Sequence, residues 1–341
     1  MTLVDAFDYE LPPELIAQEP LPRGTARLLL VARDGSACEH LAFGDLVARM
    51  PPDALLVLNE TRVVPARFLG RRPTGGKAEL LLVRPLVDGA WEAFVRTSGR
   101  PRPGEVLELE EGAARAEILS GLGAGRFAVR FVGEEALEAA ERCGRLPLPP
   151  YVRRPERPED RELYQTVFAR EPGAIAAPTA GLHFTPAILS DLEDRGVQIA
   201  RVVLHVGPGT FTPVRCERVE DHRMERERYR VPPETERALA NARACGRPIV
   251  ACGTTVVRTL EAYAQSGVPE GETNLFIHPP YAFRLVDGLI TNFHLPRSTL
   301  LMLVSALAGV DVIRRAYAEA VRARYRFYSY GDAMFIPPPP S

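Results

Sequence analysis

An α/β main domain of mixed strand direction, carrying an inserted small antiparallel β-barrel domain, is the fold class that three observations predict. Beyond residue 185 helix and strand patterns alternate, which is the mark of an α/β layer structure. Between about residues 62 and 130 the texture changes to short apolar segments separated by Gly and Pro, as in a small barrel or sandwich. The run 54–58, Ala-Leu-Leu-Val-Leu, is continuously apolar and reads as a buried strand. The expected division is 1–61 with 152–341 for the main domain and 62–151 for the insert. With 341 residues, 46% of them hydrophobic, the chain can fill two cores.

Taken in order, Asn59-Glu60-Thr61-Arg62 follow the buried run directly, where open α/β sheets present binding residues and where turn formers also gather. Six strands are expected at 63–68, 78–83, 91–96, 106–109, 116–119 and 127–131, then a helix at 134–142. The proline-rich connector 146–151 is expected to be stiff and to lie on a surface. Thr185-Pro186 supplies an N-cap and a first-turn proline for a helix over 186–195 that Gly196 closes. A strand at 197–206, a helix at 234–245, a strand at 248–252, a helix at 255–265 and a strand at 275–277 follow. The chain ends in a buried helix, 298–308, an amphipathic one, 311–324, and a strand near 335–336. The face of the amphipathic helix is Val312, Ile313, Ala316, Tyr317, Ala320 and Val321.

A net charge of −2 gives no global attraction to nucleic acid, so any RNA binding must come from local basic patches. Lys77 is the one lysine among 42 basic residues, and the arginines cluster in runs such as 67–72, 153–157, 223–230 and 322–326. Each run alone reads as a solvated face with local ion pairs; several lining one groove would track a phosphate backbone. Five scattered cysteines without a Cys-x-x-Cys pair indicate neither a disulfide framework nor a zinc site. No signal sequence opens the chain, and the longest apolar run, around 300–310, is too short to span a bilayer. A soluble cytoplasmic protein with no membrane association is expected.

Three stretches share small residues, threonines and a histidine: 173–185 with His183, 204–212 with His205, and 291–296 with His294. Small residues let backbone and ligand approach closely, and an imidazole titrates near neutrality. A fourth, Ala251-Cys-Gly-Thr-Thr255, joins a strand to a helix whose first N–H groups suit a carboxylate or phosphate. Each histidine alone is more often a hydrogen-bonded structural residue, and Gly207, Gly209 and Gly253 are in most proteins turn or cap glycines; together the histidines raise one another. Cys252 reads as a buried small hydrophobe. Tyr151, Tyr164, Phe211, Tyr281 and Phe293 suit core packing, base stacking or a cation.

With these segments in hand, the chain resembles the S-adenosylmethionine:tRNA ribosyltransferase-isomerases of the queuosine pathway. The resemblance rests on Leu58-Asn-Glu-Thr-Arg-Val-Val-Pro-Ala-Arg67, Pro147-Leu-Pro-Pro-Tyr151, Ala176-Ala-Pro-Thr-Ala-Gly-Leu-His-Phe-Thr185, Leu204-His-Val-Gly207, Gly253-Thr-Thr255, Thr291-Asn-Phe-His-Leu-Pro296 and Tyr328-Ser-Tyr-Gly-Asp-Ala333. It departs at Glu225, where a histidine is usual, and at Pro280, where a glycine is.

The resemblance implies transfer of the ribosyl part of S-adenosylmethionine to 7-aminomethyl-7-deazaguanine at the tRNA wobble position. Rearrangement would give epoxyqueuosine, with adenine and methionine released. No cofactor is implied, since S-adenosylmethionine would be a consumed co-substrate. No metal is implied either, and a monomer is expected.

His183 and His294 are then the expected acid–base residues, with His205 third. S-adenosylmethionine would be held by Thr179, Gly181, Phe184, Gly207, Gly209, Thr210, Gly253, Thr254, Thr255 and Phe293. tRNA would meet Arg62, Arg67, Arg153 and Arg154. Three other readings compete. A methyltransferase lacks its glycine-rich loop here, a metal-dependent hydrolase on the three histidines lacks ligand spacing, and an RNA-binding module would leave the histidines structural.

Overall fold

Residues 2–36, 38–207, 214 and 216–339 are described by a computed structural model. The chain opens with the antiparallel pair β1 (Arg27–Val31) and β2 (Cys38–Ala42), then crosses α1 (Leu46–Arg49) to β3 (Leu55–Asn59). Every residue of β3 is buried, as its unbroken apolar run requires. The short β4 (Thr61–Val63) leads away from it. Six strands follow: β5 (Arg67–Arg71), β6 (Lys77–Pro85), β7 (Trp91–Thr97), β8 (Val106–Leu109), β9 (Ala114–Gly123) and β10 (Arg126–Phe131). They close a barrel in the order β10-β7-β6-β5-β8-β9, antiparallel at each pairing and filled by Phe68, Leu80, Leu107 and Ile118.

Past the barrel come α2 (Ala136–Cys143) and α3 (Asp160–Leu163), and then β11 (Glu171–Ala174), which pairs in parallel with β4. The remaining elements are α4 (Pro186–Asp194), β12 (Gln198–Leu204), β13 (Glu227–Arg230), α5 (Pro233–Ala244), β14 (Ile249–Cys252) and α6 (Thr254–Ser266). They continue with β15 (Glu270–Thr273), β16 (Gly288–Asn292), α7 (Thr299–Ala308), α8 (Val310–Arg322) and β17 (Ala333–Ile336). The large sheet runs β15-β13-β12-β3-β14-β16-β17-β1-β2. Its centre, β12-β3-β14-β16, is parallel; β13 and β15 continue it antiparallel on one side, and on the other β17 is antiparallel to β16 but parallel to β1, which pairs antiparallel with β2. The fold is thus an α/β main body of mixed strand direction with an antiparallel barrel, the predicted class.

Several expectations change in detail. The first barrel strand is Arg67–Arg71, because residues 61–63 are taken by the parallel pairing with β11. The strand expected at 275–277 is irregular chain, and Glu270–Thr273 pairs with β13 instead. The proline-rich connector is not a surface strap: Leu146 is 2% exposed, and Tyr151 stacks on Tyr328 with ring centroids 4.2 Å apart. Amphipathic α8 buries Ile313, Ala316, Tyr317 and Ala320, the face its spacing predicts.

Asn59 ends β3 with a side chain that replaces main-chain pairing. Its Oδ1 accepts from the N–H groups of Leu204 at 3.1 Å and Thr61 at 3.2 Å, and its Nδ2 donates to the Leu204 carbonyl at 3.1 Å. Here β3 and β12 part, and the amide satisfies groups that would otherwise be buried unpaired. On the other side the barrel meets the main body through charge. Arg126 binds Glu92 within the barrel and reaches Glu225, while Arg84 binds Glu92 and lies 3.6 Å from Glu272. Glu225, one of the departures from the resembled pattern, is therefore half of a link between barrel and body.

Replacing Asn59 by Leu, similar in size but apolar, should lower unfolding free energy by about 2–4 kcal/mol, since two main-chain groups of Leu204 lose their partner. Urea unfolding measures it; a loss below about 0.5 kcal/mol would show that neighbouring groups take over those bonds.

Candidate active site

A cavity of about 330 Å³ opens at the carboxyl ends of the parallel strands. Crevices at such ends are where α/β sheets bind ligands, and the volume is that of a small-molecule site. Its wall takes Val206 beyond β12, Gly253, Thr254 and Thr255 beyond β14, and Thr291–His294 around the end of β16. Residues 176–180 form a second side, Tyr151, Tyr328 and Ser329 a third, and Ser298 and Leu300 the start of α7.

Two helices of ten or more residues begin at this cavity. Gly253 stands at the N-cap of α6 with φ at +92°, a conformation that favours glycine, and Ser298 caps α7 by accepting from the Leu301 N–H at 3.2 Å. Both helix dipoles present their positive ends to the same space. Asn59 also reaches the Thr255 hydroxyl at 3.4 Å, tying the first turn of α6 to the point where β3 and β12 part.

The structure separates the three histidines. His294 lines the cavity, with Nε2 2.8 Å from the Thr291 hydroxyl, its N–H donating to the Tyr317 hydroxyl oxygen at 2.9 Å and its carbonyl accepting from Tyr9. His183, at the end of the 3-10 turn Thr179–His183, faces a smaller hollow with Arg23, Ser329 and Tyr330. It meets the main wall through Asn292, whose Nδ2 is 3.2 Å from His183 Nε2. His205 lines neither cavity: its Nδ1 is 2.9 Å from the Thr61 hydroxyl, and its ring lies against Gly173, where a Cβ would come within 2.9 Å of it.

Burial pushes the His183 imidazole down to about 4 and the His294 imidazole down to about 3. Burial and then Arg228 lower His205 in the same direction. His183 and His294 are accordingly neutral at pH 7, the state from which an imidazole accepts a proton.

Of the residues expected around S-adenosylmethionine, Thr179, Gly253, Thr254, Thr255 and Phe293 line the cavity. Phe184 is fully buried below it, edge-on to Phe43. Gly181 is a packing glycine, since a Cβ there would lie 2.7 Å from the Phe168 ring and 2.8 Å from Thr166. Gly207 is held through its N–H by Glu227 Oε1 at 3.0 Å, and Glu227 in turn forms a buried ion pair with Arg258. Gly209 and Thr210 lie outside the described residues. Tyr281 hydrogen-bonds Glu261 and Gln265, and is not among the cavity's lining residues.

The four arginines differ. Arg154 is only 11% exposed and grips Asp160 with both terminal nitrogens at 2.7 and 2.6 Å. Arg62 pairs with Glu141, and Arg67 with Glu79 at 2.8 Å, all at the surface. Arg153 is exposed, and among the described residues its guanidinium has no hydrogen-bond or ion-pair partner.

Sequence reading missed Asn292, Tyr328, Ser329 and Ser298. Asn292 lies inside the Thr291–Pro296 segment, two residues before His294, and an amide carries no titration signal to mark it. Tyr328 opens the Tyr-Ser-Tyr-Gly-Asp segment, but its neighbour Tyr151 is remote in sequence, and no local pattern joins the two. Among the described residues no group of three or more His, Cys, Asp or Glu could hold a metal ion, and no helix is long and apolar enough to cross a membrane.

Comparison with known proteins gives a consistent result. Residues 4–336 match the profile of a family described as queuosine biosynthesis protein. A protein of Geobacter sulfurreducens named S-adenosylmethionine:tRNA ribosyltransferase-isomerase is 53% identical, covering 98% of this chain and 99% of its own length. A protein of the same name from Rubrobacter xylanophilus is 55% identical, covering 97% of each. The crystal structure of S-adenosylmethionine tRNA ribosyltransferase from Thermotoga maritima aligns over 97% of this chain and 99% of its own, at 40% identity and a TM-score of 0.55.

The buried imidazoles predict a pH signature. In the unfolded chain both return to about 6.5, so below that value the unfolded state binds protons that the native state refuses. Their contribution to stability is complete above about pH 6.5 and is lost progressively as pH falls toward 4 for His183 and 3 for His294. Urea midpoints should drop between about pH 7 and pH 4.5, and the drop should be smaller in a His183→Asn/His294→Asn double variant. An equal drop in both proteins would place the titrating groups elsewhere.

Proposed function

The chain belongs to the queuosine biosynthesis protein family, and we propose that it is a tRNA ribosyltransferase-isomerase consuming S-adenosylmethionine. In this reading the ribosyl group moves to the aminomethyl nitrogen of 7-aminomethyl-7-deazaguanine at the wobble position of tRNA. It rearranges to an epoxycyclopentanediol, giving epoxyqueuosine, and adenine and methionine leave. S-adenosylmethionine is thus a co-substrate and no resident cofactor takes part.

The observation that carries the reading is the cavity itself, which offers two helix N-termini and aromatic faces in one largely apolar space. A methionine carboxylate suits the first turn of α6, where main-chain N–H groups and the Thr254 and Thr255 hydroxyls gather. A sulfonium suits the stacked rings of Tyr151 and Tyr328, whose faces attract a cation. The carbon beside a sulfonium is acidic enough for a general base to act on, and His294 is the imidazole on the cavity wall. The exposed Arg153, and Arg62 and Arg67 once released from their surface carboxylates, are the cations proposed to meet tRNA.

Incubating the protein with S-adenosylmethionine and tRNA bearing the deazaguanine precursor should release adenine in step with a mass gain at the modified nucleoside. Adenine released without that gain sinks the transferase reading. His294→Ala should slow adenine release by about 10²–10⁴-fold, the usual contribution of a positioned acid–base group. Arg153→Glu should weaken tRNA binding and reduce its salt dependence by about one counterion, and an unchanged salt slope would remove Arg153 from the interface.

A further inference from the structure

Of the buried side-chain atoms that lack a hydrogen-bond partner among the described residues, two belong to the wall of the main cavity: Asn292 Oδ1 and the Tyr328 hydroxyl. An unmade hydrogen bond at a buried polar atom is costly, and native structures rarely carry two in one wall without a use for them. Both residues are held in place. The Tyr328 carbonyl can only accept, so the amide nitrogen of Asn292 is the atom that faces it, at 3.1 Å. The second hydrogen on that nitrogen meets His183 Nε2, which must then hold a lone pair and leave its proton on Nδ1. Both donor positions of the amide are thereby used, and its oxygen is the arm left over. Tyr328 has φ at +72°, a left-handed conformation unusual for a tyrosine, and its ring is stacked on Tyr151.

A fixed acceptor and a hydroxyl that donates form a two-point pattern. The edge of adenine is its complement, with an amino N–H beside a ring-nitrogen lone pair. We propose that Asn292 Oδ1 and the Tyr328 hydroxyl read the adenine base of the ribosyl donor, and that His183 is a positioning residue that locks the Asn292 amide from behind. Asn292 accepts from the 6-amino group and Tyr328 donates to the ring nitrogen. Tyr328 suits the donor role because burial raises its phenol well above the usual range, so it keeps its proton.

The inference rests on the cavity being an S-adenosylmethionine site, and a binding experiment tells the two apart. Isothermal titration of the full chain would compare S-adenosylmethionine with its inosine counterpart, whose base has oxygen at C6 and hydrogen on N1, the inverted pattern. The wild type should bind the inosine form at least about 100-fold more weakly, because two buried groups then face like partners. Tyr328→Phe keeps the ring stack and the main-chain carbonyl; it should lose about 10-fold for S-adenosylmethionine and narrow the ratio. Asn292→Leu should narrow it as well, and so should His183→Phe, whereas His183→Gln, which keeps an acceptor, should restore part of it. If Asn292→Leu does not fold, Tyr328→Phe alone decides. Variants that keep the full wild-type ratio overturn the inference. It is equally overturned if the ratio that collapses is that between S-adenosylmethionine and its 2′-deoxy counterpart, since the pair would then read the ribose. A wild type that binds no S-adenosylmethionine overturns the underlying reading together with the inference.

Discussion

Two parallel strands that part company leave main-chain groups with nothing to bond, and the arrangement of this protein follows from how that problem is met at Asn59. The amide holds both polar groups of Leu204 and the N–H of Thr61, so β3 and β12 diverge without an unpaired buried group. Divergence at that point does two things at once. It sends the chain out through β4 toward the barrel, and it leaves a crevice at the carboxyl end of the sheet, which α6 and α7 then border with their N-termini. A main-chain ladder continued past residue 59 would close both openings.

Burial alters the chemistry of the imidazoles on the two sides of this wall. Desolvation is the leading influence on His183 and His294, stronger than any neighbouring charge, and it disfavours the imidazolium form of each. A neutral, hydrogen-bonded imidazole is a fixed acceptor as much as a base. His183 acts in the first sense on Asn292, while His294 stands at the wall itself.

Much of this was legible in the sequence, for physical reasons that differ by region. The barrel strands are amphipathic and punctuated by Gly and Pro, so their number and, past the first, their approximate positions are legible locally. The buried run 54–58 and the Gly-Thr-Thr turn after β14 carried the sheet centre and one helix end in the same way. Strands β1 and β13 are not legible locally because partners farther along the chain set their pairing, as when Leu28 lies opposite Ala333. The stretch 173–185 forms a cavity wall through residues 176–180, and its imidazole, His183, faces the other way because the 3-10 turn carries it past the wall. Phe184 and Gly181 shared the small-residue texture of a binding loop, yet both serve packing beneath it, and texture alone does not distinguish the two sides of a turn.

Charge shows most clearly how composition understates structure. The sequence offers four arginines in two clusters as equals, but burial divides them. Arg154 is forked onto a buried Asp160, so removing either partner would strand the other charge away from water. Arg62 and Arg67 sit in surface pairs worth about 1 kcal/mol or less, which a phosphate can displace with little loss. Arg153 needs no displacement at all. Among the four, Arg153 is thus the uncommitted cation, Arg62 and Arg67 are released at little cost, and Arg154 stays with Asp160. The same logic holds at the seam, where Glu92 is shared between Arg84 and Arg126 and leaves each arginine a nitrogen for the main body at Glu272 and Glu225. An acidic residue at position 225 thus links barrel to body by charge.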